Sequence, residues 1–232
     1  YTFLQGPWSW DNKIPWSGIW GRAEVEGGWF GEFGCGLCDL AGVYSTLSPY
    51  ECSPLDMYEF AQTASEYSPL DGYGAIDWPH MKDTLAAAGI SSKICNMDPT
   101  YEEFCSAVES AAGVIALVSS YEDDTYWEET EGHYVNLWNY DSEAGDVFLG
   151  DSGDPNHNRN RIPLQYVYSA LKYWGEHQYL LIYSYDEEKN TWKHDGITDE
   201  WNSPKAREEN GQEHVSETAV LDENAPEESD QE

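Results

Sequence analysis

Basic residues are scarce in this chain: eleven lysines and arginines stand against 44 aspartates and glutamates in 232 residues. A surface of that sign repels phosphate backbones and anionic lipid headgroups, which excludes nucleic-acid binding and favours cationic partners. The imbalance is not confined to one end, since residues 1–185 carry 28 acidic residues against 7 basic ones. Long apolar runs are also missing. No window approaches the roughly 18 residues that a membrane span requires, so no membrane insertion is expected. No basic stretch followed by an apolar one opens the chain, which begins at Tyr1. No second Cys-x-x-C and no histidine pair follows Cys35 and Cys38 at zinc-finger spacing, and neither a metal nor a cofactor is expected. Nor does that Cys-x-x-C follow a strand, as a thioredoxin-like redox motif should. No internal repeat is visible.

What is present suits a folded domain of ordinary size. Apolar residues make up 40% and aromatics 15%, with 11 tryptophans and 17 tyrosines available to fill a core. The five cysteines (Cys35, Cys38, Cys52, Cys95, Cys105) are an odd number. That count fits one reactive thiol and up to two disulfides in a secreted protein, or five free thiols in a cytosolic one. The acidic body and the odd count together favour a secreted or extracellular protein.

Along the chain, residues 1–34 hold Trp8, Trp10, Trp16, Trp20 and Trp29 without sustained period, which reads as an extended segment pinned to the core by aromatics. Helices are expected from Cys35 past Tyr44, from Pro54 after the N-cap Ser53, from Trp78 after Asp77 to a stop at Gly89, and from Thr100 to Gly113. Ile90–Cys95 is a short strand, and Val114–Val118 is a continuous apolar run of the kind buried on both sheet faces. Strands His133–Tyr140 and Asp146–Leu149 flank the turn 141–145. A polar stretch then leads to a helix over 164–174 and a last strand over 178–185. Helices first and an antiparallel sheet afterwards describe an α+β domain over residues 1–189, with the N-terminal helical half packed on the C-terminal sheet. Residues 190–232 read as an acidic disordered tail.

Chemistry gathers at three points. Cys35, between Gly34 and Gly36 at the start of an apolar helical stripe, sits where helix-terminal N–H groups favour a thiolate, and the flanking glycines would let a substrate carbonyl approach closely. His133 follows Gly132 at the mouth of an apolar strand and suits a general base. Asp151 comes directly after the next strand and would fix the imidazole from its far nitrogen. Asp154 competes for that role; the strand-end position favours Asp151. His80 reads as a helix-surface residue and His194 and His214 as tail, while His157 and Asp154 share a polar loop.

These residues resemble a family. Gly-Cys-Gly-x-x-x-Leu-Ala opening a helix, Gly-His-Tyr-Val on a strand and Val-Phe-Leu-Gly-Asp closing the next are similar to the papain-like cysteine peptidases of the bacteriocin-processing, double-glycine type. The likeness spans about residues 1–185. It implies the papain-like fold and a peptidase, with Cys35 as nucleophile, His133 as general base and acid, Asp151 as orienting residue and Gln5 as side-chain donor to the oxyanion. Nothing in the chain suggests the transporter domains such peptidases are often fused to, so a stand-alone relative is expected. It implies a peptide or protein substrate, which the surface charge suggests is basic. The same Cys, His, Asp order would also serve an acyl transferase or a cell-wall peptide amidase, and the fold could equally carry a catalytically silent binding or toxin-like module. Oligomeric state is not legible.

Overall fold

Alternation along the central strands splits the apolar residues of this protein into two cores. The computed structural model describes residues 1–5, 19–25, 28–69, 74–95, 100–120, 126–128, 130–171 and 179–197. Trp8, Trp10, Trp16, His177, His214 and the segment 198–232 lie outside them. A two-stranded ribbon, β1 (Glu24–Val25) and β2 (Gly28–Trp29), precedes a short helix α1 (Phe30–Phe33) and the central helix α2 (Cys35–Leu47). Helices α3 (Pro54–Ala64) and α4 (Trp78–Ala87) follow, then strand β3 (Ala88–Cys95), helix α5 (Tyr101–Glu109) and strands β4 (Gly113–Val118), β5 (His133–Asp141), β6 (Asp146–Gly150) and β7 (Arg161–Pro163). Helix α6 (Leu164–Ala170) and strand β8 (Tyr179–Asn190) complete the order. Six strands form one antiparallel sheet in the order β3-β8-β4-β5-β6-β7.

On one face, Ile115, Tyr134, Trp138, Leu180 and Ile182 meet α2, α3 and α4. On the other, Val114, Ala116, Val118, Val135, Leu137 and Leu181 meet Phe104 and Val108 of α5 and Leu164 and Val167 of α6. Successive side chains leave a strand on opposite faces, so covering both faces requires apolar residues at every position. The run Val114–Val118 is the sequence trace of that. The α+β class holds, with one change in layering. Strand β3 leaves the helical half to pair with β8 as an edge of the main sheet, and α5 lies on the face opposite α2–α4. Helix α2 is buried from Cys35 to Ser45, so its apolar pattern describes a helix enclosed on all sides rather than a stripe.

Local signals set the boundaries. Ser53 and Asp56 form a reciprocal capping box with Pro54 in the first turn, and Thr100 and Glu103 form another. Gly89 lies at φ +79°, and a Cβ there would come within 2.5 Å of the Asp186 carbonyl, so only glycine turns the chain from α4 into β3. The hairpin 141–145 closes through Gly145, at φ +72°, whose N–H donates to Asp141 O at 2.7 Å. Trp20 is buried and donates to Leu4 O at 3.0 Å, holding the N-terminal residues as an aromatic pin. Strand β7, which the polar run before it hides in the sequence, pairs with β6.

The stretch 190–197, expected within the tail, instead packs on the domain. Trp192 stacks on Phe60 with ring centroids 4.3 Å apart, the Tyr44 hydroxyl donates to His194 O at 3.1 Å, and Ile197 is buried. Only Trp192 and Ile197 are apolar in this stretch, and the charged residues around them mask the signal. All five cysteines are free thiols, with Cys35, Cys38 and Cys52 buried. Among the described residues no helix is long and apolar enough to cross a membrane.

Candidate active site

Helix α2 begins at Cys35, and no side chain caps it, so its first N–H groups stay directed at the thiol end. The flanking glycines answer to packing. A Cβ on Gly34 would fall 2.7 Å from the Phe30 carbonyl, and one on Gly36 would meet Ile76 at 2.7 Å and Tyr134 at 3.2 Å. They set how closely α2 approaches α1, α4 and β5; the expected role in substrate approach is not what demands them.

Register brings the other two groups to the thiol. Strand β5 pairs Asn136 with Gly150 of β6, so the chain beyond β6 passes His133 on the same sheet face as Asp151. His133 Nε2 lies 2.8 Å from Asp151 Oδ1. The remaining ring nitrogen is left for Cys35, whose thiol is near enough for the imidazole to lower it. Gly153 makes room for this: a Cβ there would sit 3.1 Å from the His133 ring. Side-chain exposure falls inward, from 12% at His133 to 1% at Asp151.

Asp151 is held from several directions. Oδ1 also accepts from Gly153 N at 2.9 Å and Asp154 N at 3.3 Å, and Oδ2 accepts from Trp127 Nε1 at 2.9 Å. Burial alone would raise its carboxyl, but the charge and bond of His133, the His157 imidazole 3.5 Å away and the Trp127 bond hold it well below the usual carboxylate range. Asp154 takes no part in orienting His133; its carboxylate lies 3.7 Å from His157 Nε2. Burial likewise pushes the Cys35 thiol up. The hydrogen bond and charge of His133, with N–H groups of Tyr134 and Gly36, outweigh it and leave the thiol below its ordinary value. For His133, burial lowers and the Asp151 and Cys35 contacts raise, with the net well above an ordinary imidazole. All three shifts favour a thiolate–imidazolium–carboxylate row.

Gln5 is near but partly committed. Its Oε1 accepts from Ser152 Oγ at 2.6 Å, its backbone N–H donates to Ser152 O at 2.8 Å, and its Nε2 donates to Gly31 O at 2.9 Å. It therefore ties the residue after Asp151 to the helix that leads into Cys35.

Sequence reasoning overlooked Trp127, His157 and Asp39. Trp127 is a buried aromatic within an acidic run, a local contrast that could have singled it out. His157 Nδ1 stands 3.5 Å from Asp151 Oδ2. Asp39 is a carboxylate on an enclosed helix one turn beyond Cys35, and its Oδ2 has no hydrogen-bond partner. Burial, with the charges of Cys35 and Asp151 acting the same way, pushes Asp39 well above the usual carboxylate range. The folded surroundings therefore disfavour its charged form beside the thiol. Because its folded value is raised, its stabilising contribution is complete below the unfolded value of about 3.9 and is lost as pH rises toward the folded one. Asp39→Asn should raise stability at pH 7 by about 1–3 kcal/mol and change it little near pH 4. Urea unfolding at both pH values tests this, and an equal change at both would show that the fold does not disfavour the Asp39 charge.

Among the described residues no group of three or more His, Cys, Asp or Glu is placed to hold a metal ion. No family model matches the chain, and no curated protein matches it in sequence. Among solved structures it is similar to the peptidase domain of Streptococcus ComA, a bi-functional ABC transporter involved in quorum sensing. Identity there is 14% and the TM-score 0.44, over 65% of this chain and 90% of that one. It is also similar to the N-terminal peptidase C39-like domain of a toxin secretion ATP-binding protein from Vibrio parahaemolyticus. In that pair identity is 17% and the TM-score 0.40, over 65% of this chain and 96% of the other. Both are described as peptidase domains.

Proposed function

We propose that this protein is a cysteine peptidase acting on a peptide or protein substrate through Cys35, His133 and Asp151. The observation that carries the reading is His133 Nε2 at 2.8 Å from the buried Asp151 carboxylate, with the same imidazole lowering the thiol at the helix start. In the first half-reaction Cys35 Sγ attacks the scissile carbonyl carbon, and the C=O electron pair moves onto oxygen. As the tetrahedral species collapses, the C–N bond breaks and His133 gives its proton to the leaving nitrogen, leaving an S-acyl enzyme. A water then loses a proton to His133 and attacks the thioester, the C–S bond breaks, and the thiolate–imidazolium pair is restored with release of the carboxylic acid. Asp151 keeps the ring in one orientation and stabilises its charge. The Cys35 N–H and the second Nε2 hydrogen of Gln5 would donate to the oxyanion, an assignment supported by the tether of Gln5 to Gly31, four residues before the nucleophile.

Iodoacetamide labelling of the native protein over pH 5–9, read residue by residue, tests the pair. Cys35 should label fastest, well below the ordinary thiol value of about 8.5. Cys38 and Cys52 should stay slow, because burial pushes both thiols up. His133→Ala should move the onset for Cys35 to higher pH, since it removes the charge and hydrogen bond that favour the thiolate. Labelling of Cys35 no faster than that of half-exposed Cys105, and indifferent to His133, would mean there is no working nucleophile.

A further inference from the structure

A cavity of about 510 Å³ opens beside the catalytic row, and hydrolysis alone leaves its contents unused. His133 and Asp151 form part of its wall, together with Tyr126, Glu128, Asp154 and His157; Cys35 does not line it. That asymmetry has a meaning if the peptidase reading is right. The acyl portion of the substrate stays bonded to Cys35, whereas the leaving amine must lie at the imidazole that protonates it. A cavity bounded by His133 and not by Cys35 therefore receives the side that departs.

The charge of that cavity is one-sided. Among the described residues no lysine or arginine lines it, and the sequence contains none between Lys93 and Arg159. The segment 121–131, which supplies Tyr126 and Glu128, holds six acidic residues and no basic one. Three carboxylates line the cavity against two imidazoles, so its net sign stays negative even with both rings protonated. Two groups on the wall sense this field. Tyr126 stacks on His157 with ring centroids 4.1 Å apart, and its phenol is pushed up to about 12 by burial and then by the Asp151 and Asp154 charges. His157 is raised by the Asp151 and Asp154 carboxylates, 3.5 and 3.7 Å from its ring nitrogens. The aromatic stack adds a face on which an aliphatic stem or a guanidinium can lie.

We infer that this cavity is the leaving-group subsite and that it selects a lysine or arginine as the residue following the scissile bond. The inference rests on the peptidase reading and deepens it. The test begins with a proteome-derived peptide library digested by wild-type protein, with Cys35→Ala as control, and new N-termini identified by mass spectrometry. Lysine and arginine should dominate the new N-terminal position. A matched peptide pair with Lys or Glu there is then assayed with wild type and with the Glu128→Gln, Asp154→Asn double variant, whose folding is checked by circular dichroism. The Lys-over-Glu ratio of kcat/KM should fall about ten-fold in the variant, and fall also for wild type at about 0.5 M salt. Cleavage with no basic preference at that position, or a preference that survives the double variant, would overturn the subsite while leaving the peptidase standing. No cleavage of any library peptide would remove both.

Discussion

Cys35→Ala is expected to reduce peptide hydrolysis at least about 10⁴-fold, to the residual rate that binding and the oxyanion donors supply, while leaving the fold intact. The thiol is the only group in the row able to form a covalent acyl intermediate, so nothing takes over when it is removed. The site is nearly closed, with Cys35 8% exposed, and losing one sulfur from it costs only about 1–2 kcal/mol of stability. Cys38→Ala is the informative partner. That thiol stands one turn away on the same helix, and burial, with the charges of Asp39 and Cys35 behind it, pushes it well above its ordinary value. Its loss should leave kcat within about three-fold of wild type. Product formation from a peptide mixture, measured on both variants at matched circular dichroism, decides the assignment. An active Cys35→Ala beside an inactive Cys38→Ala would reverse it.

Asp151→Asn should lower kcat about 10³–10⁴-fold with little change in KM, and should cost about 3–5 kcal/mol of stability. The carboxylate accepts from His133, Gly153 and Asp154 on one oxygen and from Trp127 on the other. An amide keeps one acceptor, so whichever way it turns its NH2 opposes a donor: Trp127 in one orientation, His133 in the other. The signs then set a pH window. Asp151 has a depressed folded value, so its contribution is present above the unfolded value of about 3.9 and is lost as pH falls toward the folded one. His133 has a raised folded value, so its contribution is complete below the unfolded value of about 6.5 and is lost as pH rises through the folded one. The stability gap between wild type and variant should therefore be widest between about pH 4 and 6.5, narrowing outside it. A gap that stays constant from pH 3 to 9, in urea titrations, would show that the row carries no charge in the folded state.

Much of the fold is legible because its signals are local. Ser53 with Pro54, Asp77 ahead of Trp78, and Thr100 with Glu103 mark helix starts within four residues of chain. Gly89 and Gly145 mark reversals because only glycine adopts those backbone angles readily. The apolar run 114–118 announces a strand covered on both faces. What covers it is another matter. Nothing in Ile90–Cys95 says that it joins the sheet through β8, about ninety residues later, and nothing in Phe104 or Val108 says which face α5 will occupy. Short β7 and the packed stretch 190–197 went unseen for a related reason: a few apolar residues among many charges carry too little periodicity to rise above their neighbours.

The site divides the same way. From the chain alone came a cysteine at a helix start, a histidine at a strand mouth and an aspartate at the next strand's end, because each depends on where an element begins or stops. The strand-end position favoured Asp151 over Asp154 in the chain, and the tertiary structure sets the Asp151 carboxylate, not that of Asp154, against the imidazole, because register is set by pairing across the sheet. It also supplied Trp127 as a donor to that carboxylate, tied Gln5 to Ser152 and Gly31, and buried Asp39 beneath the thiol. The hydrogen bonds of Trp127 and Gln5 join residues from 24 to 147 positions apart. Local sequence encodes the tendency to form a helix or strand, whereas burial, hydrogen-bond partnership and the charge state of a titratable group arise only once distant segments have expelled water between them.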